Sequence, residues 1–329
     1  SATIEPYQDR PSAREELVPF LMGQFQGEGA CDGETWLRRM AYWWDENPYA
    51  QAHPCRGWVL RSSGRVAGYL GTIPTLYEDA EGRQVPALIA TSWAVEEGQR
   101  QAALPMGLLL QRQGRHCLLI DTTPSPEVQQ LLLRWGWIGR TSMRRTLVLR
   151  GAAGAVLAGF SSREPPLWPP GLRVVTDLEP ITHLRQSGVT GQLHKSYSLE
   201  SLRWYLRSPM RRHFMVGLAD DRGGLHAFLI LTNRPMKGIP TWKVLDWYSA
   251  EAGPDMPQLL AWWLMDQAPD PEGVSWPFLN LTSFPGQQLW DELPSVYARD
   301  ETVCHFYHLP PALAGQSIRS VMAEGDWGL

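Results

Sequence analysis

Hydrophobic and polar positions follow the same order in the two halves of the chain. Segments 33–48 and 198–209 carry apolar residues at helical spacing, and each pattern stops at a proline, so each predicts a helix. Three apolar runs joined by glycine-containing turns follow in each half, over 56–95 and 213–250. Runs of this kind predict a three-stranded antiparallel meander in each half.

Helices and strands alternate in the rest of each half. The pattern predicts helix, strand, helix and strand at 104–114, 116–123, 125–137 and 142–151 in the first half, and at 256–268, 276–283, 285–298 and 302–310 in the second. Hairpins followed by strand–helix–strand crossovers imply a mixed sheet with helices on its faces. The expected fold class is therefore α/β, with two tandem domains that each hold a mixed, mainly antiparallel sheet flanked by helices.

A stretch rich in glycine, alanine, serine and proline separates the two halves. Residues 151–172 read GAAGAVLAGFSSREPPLWPPGL, and the two proline pairs cannot continue a helix or a central strand. The chain of 329 residues is long for one domain, since domains usually hold about 100–200 residues. We therefore predict an N-terminal domain at 1–150, a linker at 151–172 and a C-terminal domain at 173–329.

Composition and charge place the chain among folded proteins with small partners. Hydrophobic residues make up 43% and charged residues 19%, and the formal net charge of -4 indicates no nucleic-acid partner. The four cysteines are scattered, with no C-x-x-C pair and no histidine at metal-ligand spacing. Since no apolar leader and no apolar run of about 18 residues occurs, we expect a cytoplasmic protein, monomeric or homodimeric, without metal or membrane contact.

The loop at the end of the first meander resembles a phosphate-binding motif that lacks some of its usual glycines. Residues 96–107 read EEGQRQAALPMG, with Ala, Leu and Pro where glycines are typical. This loop, the hairpin GRVAGYLGTIP at 64–74, the strand ALIATSWAV at 87–95 and the segment DTTPSPEVQQLLLRWGW at 121–137 together resemble the GCN5-related N-acetyltransferase (GNAT) superfamily, arranged in tandem. The tail AEGDWGL at 323–329 resembles the endings of tandem GNAT-like proteins from bacterial glycan gene clusters.

The resemblance implies an acyl-CoA site, with acetyl-CoA as the first candidate donor. In the family, backbone N–H groups of a Q/R-x-x-G-x-G/A loop and a helix N-terminus hold the pyrophosphate, which suits the positive end of the helix dipole. Arg100 takes the first motif position, whereas Ala103 carries a Cβ and Pro105 lacks an N–H. The predicted cofactor-binding residues are Trp93, Ala94, Val95, Arg100, Gln101, Ala102, Ala103, Leu104, Met106 and Gly107. An ordinary helix start is the alternative, because proline suits a first turn.

The matching loop of the second half is a poor anion site. Residues 250–258 read AEAGPDMPQ, contain no basic residue and carry Glu251 and Asp255, which would repel a phosphate. We therefore place the acyl-CoA site in the first half and expect the second half to shape the acceptor cleft.

Transfer of an acyl group to an amine needs a neutral amine, a polarised thioester carbonyl and a proton for the thiolate. Glu96 or Glu97 is the candidate general base, because both follow the strand that the resemblance places beside the thioester. The alternative is that both are solvated surface glutamates. Asp121 ends the next parallel strand, where ligands bind in open α/β sheets, although it could also cap the following helix.

The general acid that is usual in the family is missing from the sequence. Leu132 occupies the position four residues before Gly136, where the resemblance places a tyrosine. Tyr69 and Tyr77 lie on the hairpin that faces the cleft in the family, and either is a candidate replacement.

These features predict an enzyme, an acyl-CoA-dependent acyltransferase that transfers an acetyl group to the amine of a small molecule or an amino sugar. Two alternatives stay open. One is a GNAT-like binding or scaffold protein without catalysis, and the other is a transferase with a longer acyl or an aminoacyl donor. Hydrolase, nucleoside-triphosphatase and zinc-protease functions lose support, because the chain lacks G-x-S-x-G, Walker and H-E-x-x-H motifs.

Overall fold

The computed structural model of the chain describes residues 2–27, 30–186, 192–266, 276–287, 289–320, 322–325 and 329. In the first half the strands are β1 (Ala2–Pro6), β2 (Gly57–Ser62), β3 (Arg65–Glu78), β4 (Gln84–Val95), β5 (Leu118–Asp121) and β6 (Ile138–Leu149). The helices are α1 (Pro11–Gln24), α2 (Gly33–Met40), α3 (Ala103–Gln113), α4 (Pro126–Arg134) and α5 (Gly151–Gly159).

The second half repeats the meander and the crossovers. Its strands are β7 (Leu172–Val175), β8 (His183–Leu184), β9 (Gln192–Lys195), β10 (His213–Asp220), β11 (Gly224–Asn233), β12 (Thr241–Ser249), β13 (Phe278–Ser283), β14 (Tyr297–His308) and β15 (Ser317–Ile318). Its helices are α6 (Leu199–Tyr205) and α7 (Asp255–Asp266). Shorter turns are a π-helical turn at Ala41–Asp45 and 3-10 helices at Ala50–Ala52, Glu97–Ala102, Pro311–Leu313 and Met322–Glu324.

Side-chain caps start several of the helices. The Asp32 carboxylate accepts from the Thr35 amide at 2.8 Å and begins α2. At α6, Ser198 and Ser201 each satisfy the backbone N–H of the other, which is a capping box. These local signals lie in the sequence itself, and they place the helix starts independently of tertiary contacts.

The strands form one mixed sheet in the order β1-β2-β3-β4-β5-β14-β6-β13-β12-β11-β10-β7. Neighbours along this path are antiparallel except β4–β5 and β12–β13, which are parallel. With helices on both faces, the predicted α/β fold class is confirmed.

The two halves exchange their last strands. β14, from the second half, pairs with β5 of the first half, while β6, from the first half, pairs with β13 of the second. β14 and β6 then pair with each other and join the two sheets. Each half therefore completes its sheet with a strand of the other, so neither sheet is built from one half alone.

Three apolar clusters fill the two faces of the sheet. One cluster covers a single face in both halves and includes Trp43 and Trp204. On the opposite face, α3 packs on the first half through Met106 and Leu110, and α7 packs on the second half through residues such as Leu260. Among the described helices, none is both long and apolar enough to cross a membrane.

One predicted helix is absent from the structure. In the described residues of 284–296 the chain forms turns and bends instead of the helix predicted at 285–298. Pro285, Gly286 and Pro294 interrupt the segment, and proline cannot supply the N–H groups that a helix interior requires. Trp290 nevertheless packs in the core and donates to the Thr282 carbonyl at 2.9 Å, so the apolar periodicity of this segment reflects burial.

Candidate active site

The parallel strands β4 and β5 separate near their carboxyl ends. They pair only from Ala87 with Leu118 to Ile89 with Ile120, after which β4 continues to Val95 and β5 ends at Asp121. We call the gap between them the first splay. A gap of this kind at the carboxyl ends of parallel strands is where open α/β sheets bind ligands.

A β-bulge lies in β4 beside the first splay. Tyr69 pairs with Ala94 and Gly71 with Thr91, so Ser92 and Trp93 together face the single residue Leu70. Ser92 has φ of 54°, in the left-handed region that non-glycine residues seldom adopt. Bulges redirect backbone groups and cluster at active sites, and this bulge turns the β4 backbone at the edge of the gap.

The loop after β4 forms two short helical turns at Glu97–Ala102, joined by a kink at Gln99, whose φ of -125° and ψ of 16° are not helical. The second turn runs into α3, and the Ala103 amide donates to the Arg100 carbonyl. The amide of Ala103 is therefore used inside the helix, which corrects its predicted role as a phosphate donor. The Gln99 amide donates to the Glu96 carbonyl at 2.8 Å, and helix geometry leaves the amides of Glu97 and Gly98, in the first turn, without a helical acceptor.

The predicted cofactor residues divide into an exposed group and a packed group. The Arg100 side chain is 77% exposed, and its only described ion pair is a long one of 3.7 Å to Glu97. Gln101 and Leu104 are also exposed near the start of α3. In contrast, a Cβ on Gly107 would lie 2.6 Å from the Trp93 ring and 2.8 Å from the Trp135 ring. Glycine at this position lets Trp93 pack against α3.

The remaining predicted cofactor residues lie in the core or within the strand. Ala102 and Met106 are buried, while Ala94 and Val95 are partly exposed at the end of β4. The exposed residues Arg100, Gln101 and Leu104 are therefore the ones whose side chains could meet a ligand directly.

The two glutamates predicted as general bases lie away from the interior of the splay. Glu96 forms an ion pair with Arg65, which holds the pKa of its carboxyl below the usual range. The Glu97 side chain is 89% exposed. The ion pair of Glu96 and the solvent exposure of Glu97 fit the alternative of surface glutamates better than a catalytic role.

Asp121 and Tyr69 are both buried, with different consequences. The Asp121 carboxylate accepts from the Thr123 amide at 3.2 Å, at the end of β5, while Ser125 caps α4. Tyr69 is fully buried and donates to the Arg56 carbonyl at 3.1 Å. Because burial raises the Tyr69 pKa well above its ordinary value and its hydroxyl is already bonded, Tyr69 is poorly placed as the general acid.

A narrow cavity, the splay cavity, opens at the first splay on the face of the sheet opposite α3. Its interior has room for about one water molecule, and the rest of its space is open to solvent. It is lined by residues from four parts of the chain: Arg39, Trp43, Ile73, Ile89, Ala90, Thr91, Thr122, Thr123, Glu324, Gly325 and Leu329. The cavity therefore joins β4, β5, the helical segment after residue 33 and the tail of the chain.

Among the described residues that line this cavity, Glu324 is the one acid. It is fully buried, and its Oε1 accepts from Lys195 Nζ at 2.5 Å. Burial raises the pKa of the Glu324 carboxyl, although the charge of Lys195 opposes the shift. Its Oε2 has no other hydrogen-bond partner in the described chain than the neighbouring Tyr77 hydroxyl, so this oxygen of the buried carboxylate faces Tyr77 beside the cavity.

Tyr77 lies beside Glu324 and is the hairpin tyrosine that belongs to this site. Its hydroxyl is buried and donates toward the Glu324 carboxylate, a contact that lowers the pKa of Glu324 against the larger effect of burial. Burial raises the pKa of Tyr77 well above its ordinary value, so its hydroxyl stays protonated. Sequence reasoning missed Glu324; the signal that could have found it is the tail AEGDWGL, which begins one residue before it.

Within the described chain, no group of three or more His, Cys, Asp and Glu side chains could hold a metal ion. The polar groups of the site are therefore those of the loop, the bulge and the splay cavity.

Comparison with solved structures supports the overall fold. No family model and no curated protein matches the sequence. A GCN5-related N-acetyltransferase from Anabaena variabilis matches with a TM-score of 0.60 at 11% identity, over 94% of this chain and 74% of its own. Another from Kribbella flavida matches with a TM-score of 0.59 at 12% identity, over 95% of this chain and 72% of its own.

N-myristoyltransferase of Saccharomyces cerevisiae, solved with bound myristoyl-CoA, matches with a TM-score of 0.50 at 10% identity, over 94% of this chain and 82% of its own. The chain thus has the fold of the GNAT superfamily, and the resemblance seen in the sequence is confirmed at the level of fold.

Proposed function

We propose that the protein is an acyl-CoA-dependent N-acyltransferase that transfers an acetyl group from acetyl-CoA to the amine of a small molecule. The observation that carries this proposal is the first splay, which lies between a helix start with an exposed arginine and a cavity with a buried carboxylate. This is the arrangement that acyl transfer between a large anionic donor and a small amine requires.

The donor would lie with its pyrophosphate at the start of the helical run. The amides at Glu97 and Gly98, which helix geometry leaves without a helical acceptor, and the Arg100 guanidinium favour an anion there, against the charge of the exposed Glu97 carboxylate. The pantetheine arm would then enter the first splay beside Trp93 and the bulge at Ser92, whose redirected backbone faces the thioester.

The reaction would use the Glu324 carboxylate as the general base. The acceptor ammonium gives one proton to Glu324, and the nitrogen lone pair then attacks the thioester carbonyl carbon. The C–S bond breaks with its electron pair on sulfur, and the thiolate takes the second proton from nitrogen. The products are the amide and the CoA thiol, and Glu324 returns its proton to water.

The second half would shape the acceptor side of the site without binding acyl-CoA. Glu251 and Asp255 give its matching loop a negative charge where the first half has Arg100. We retain 1–150 and 173–329 as the two domains, joined by the linker at 151–172, and a cytoplasmic location, as proposals alongside this function.

Calorimetric titration with acetyl-CoA tests the proposed donor site. The unmodified protein is expected to release or absorb heat on binding, and Arg100→Ala is expected to weaken binding about fivefold because one charge-assisted phosphate contact is lost. Glu251→Ala, at the matching loop of the second half, is the control and is expected to leave the affinity unchanged.

Two results would contradict the proposal. Absence of both heat and thermal stabilisation at about millimolar acetyl-CoA would exclude a working donor site. Equal effects of the two substitutions would show that the donor does not bind at the first-half loop.

A further inference from the structure

A groove, called the linker groove, lies between the linker and α7. It has a volume of about 560 Å³, and its walls are α5, the linker residues 165–168 and α7. Since α7 packs on the same face of the sheet as α3, the linker groove is separated from the splay cavity by the sheet. Pockets that bind small molecules usually hold about 300–1,000 Å³. The linker groove is therefore large enough for a small ligand, unlike the splay cavity.

The linker forms an apolar wall of the groove that is held in place yet open to solvent. Proline pairs at 165–166 and 169–170 fix the backbone φ on either side, and Trp168 Nε1 donates to the Leu172 carbonyl at 2.8 Å. Leu167 is nevertheless 94% exposed and Trp168 45% exposed. Large apolar side chains that stay exposed side by side mark surfaces that bind a ligand or a partner.

The two helices give the groove its space and its aromatic rings. α5 lines it with one glycine and two alanines, whose short side chains leave the space open. α7 contributes Trp262 and Trp263, which also pack against the core of the second half. Together with Trp168, three indole rings line the same groove.

The charge of the groove is negative. Among the described residues that line it, Asp266 is the one that carries a charge, and it forms no ion pair within the described chain. Asp266 ends α7, whose described last turn has no basic residue, so its carboxylate adds to the negative end of the helix dipole. The nearby Arg150 is buried and donates to the carbonyls of Leu264 at 2.8 Å and Trp276 at 2.9 Å. The lining therefore favours a cation.

We propose that the linker groove binds a small organic cation with an apolar body, such as an alkylammonium ion. The ammonium group lies at Asp266 and the indole rings, which attract cations through their π faces, and the apolar body lies along Leu167. A sugar fits less well, because it needs several hydrogen-bonding partners and the lining offers one carboxylate beside the indole N–H groups. This site is separate from the proposed acyl transfer and does not depend on it.

Three ligands with the same alkyl tail and different charge test the site. Hexyltrimethylammonium, hexanol and hexyl sulfate are each titrated into the full chain by calorimetry. The cation is expected to bind about tenfold or more tighter than the neutral alcohol, since it gains the carboxylate and the indole rings as partners. The sulfate is expected to bind more weakly than the alcohol, because Asp266 repels it.

Substitutions in the groove should remove the preference for the cation. Asp266→Asn is expected to weaken binding of hexyltrimethylammonium about tenfold and to leave binding of hexanol unchanged. Asp255→Asn, at the exposed first residue of the same helix, is the matched control and should bind like the unmodified protein. Trp168→Leu keeps an apolar side chain, removes one ring and should weaken binding of the cation by a smaller factor. Thermal unfolding shows that each variant is folded.

Two kinds of result would overturn the inference. The first is a cation that does not bind at about 10 mM, or that binds no better than hexanol or hexyl sulfate. The second is an equal effect of Asp266→Asn and Asp255→Asn on binding of the cation. Since none of these titrations uses acetyl-CoA, their outcome is independent of whether the protein transfers an acyl group.

Discussion

The two parallel strand pairs, β4–β5 and β12–β13, have the same backbone arrangement and differ in the charge at the start of the helix that follows. In each half the parallel strands pair over three positions, from Ala87 with Leu118 in the first and from Thr241 with Phe278 in the second. Each is followed by a helix with proline as its third residue, in α3 and in α7. The first residue of α3 is Ala103, whereas that of α7 is Asp255.

This difference changes what each helix start can bind. The carboxylate of Asp255 occupies the positive end of α7 with a charge of its own, which stabilises the helix and disfavours a second anion. The corresponding residue of the first half, Ala103, is neutral and follows Arg100, while the acidic Glu97 lies one turn earlier, before the kink at Gln99. Duplication of a fold thus preserves the backbone that could bind a phosphate, while single side chains decide whether it does.

Two buried acids, both from the second half of the chain, lie beside different splays. Asp246 lies on β12 itself, accepts from the Trp247 amide at 2.7 Å and from the Tyr197 hydroxyl, and pairs with Arg319 at 3.6 Å. Glu324 comes from the tail, lines the splay cavity beside the first splay and has Lys195 and Tyr77 as its polar neighbours. Asp246 is enclosed by its own partners, whereas Glu324 borders a cavity.

Substitution of the buried acid Glu324 should produce the largest effect, a loss of acyl-transfer rate. Glu324→Gln is expected to lower the acyl-transfer rate by about 10²- to 10⁴-fold, because a general base is lost. The unmodified enzyme should also lose activity as the pH falls through the raised pKa of Glu324, where the base becomes protonated. Steady-state rates across pH, expressed per folded molecule, provide the measurement.

Asp246→Asn is the matched control, since both substitutions take a buried carboxylate from a buried cation. It should change stability while leaving the rate per folded molecule within a few-fold of the original. A comparable loss of rate in both variants would contradict a specific role for Glu324.

The cation beside Glu324 should matter chiefly for stability. Lys195→Met leaves a buried carboxylate without its partner and is expected to lower the free energy of unfolding by about 3–5 kcal/mol near neutral pH. Since burial already raises the pKa of Glu324 in the folded protein, its protonated form favours folding, and the deficit should shrink as the pH falls. Urea unfolding at several pH values measures this; a deficit independent of pH would argue against the pairing.

Exchanging the first residues of the two helices should produce the smallest effect. Ala103→Asp gives α3 the carboxylate of α7 and is expected to weaken acetyl-CoA binding about tenfold through repulsion at the helix start. Asp255→Ala, the reverse change in the second half, should leave the affinity unchanged. Calorimetric titration of both variants compares them directly, and unaltered affinity in Ala103→Asp would place the pyrophosphate elsewhere.

Sequence patterns predicted those elements whose burial follows a period along the chain. Period-two and helical patterns predicted the two meanders and α3, because burial of one face imposes a period along the chain. The segment 285–298 shows the limit of this reasoning, since a buried irregular stretch produced helix-like spacing around Trp290. The fold class followed from the order of the elements, and the solved structures confirm it.

The candidate site was less predictable because its parts are distant in sequence. Arg100 was found through the position of its loop after β4. Glu324, Lys195 and Arg39 come from three separate regions, and their proximity depends on how the tail crosses the sheet. Tyr69 and Tyr77 look alike in the sequence, and the structure distinguishes them only by which carbonyl or carboxylate each hydroxyl meets.

The exchanged strands also constrain how the chain is made. β5 ends at Asp121, yet its neighbour β14 begins only at Tyr297, so the edge of β5 stays unpaired until most of the chain has been synthesised. Strand pairings between residues so distant in sequence form slowly, and unpaired strand edges are prone to aggregation until the pairing forms. The first half therefore leaves the ribosome before the native neighbour of β5 has been synthesised.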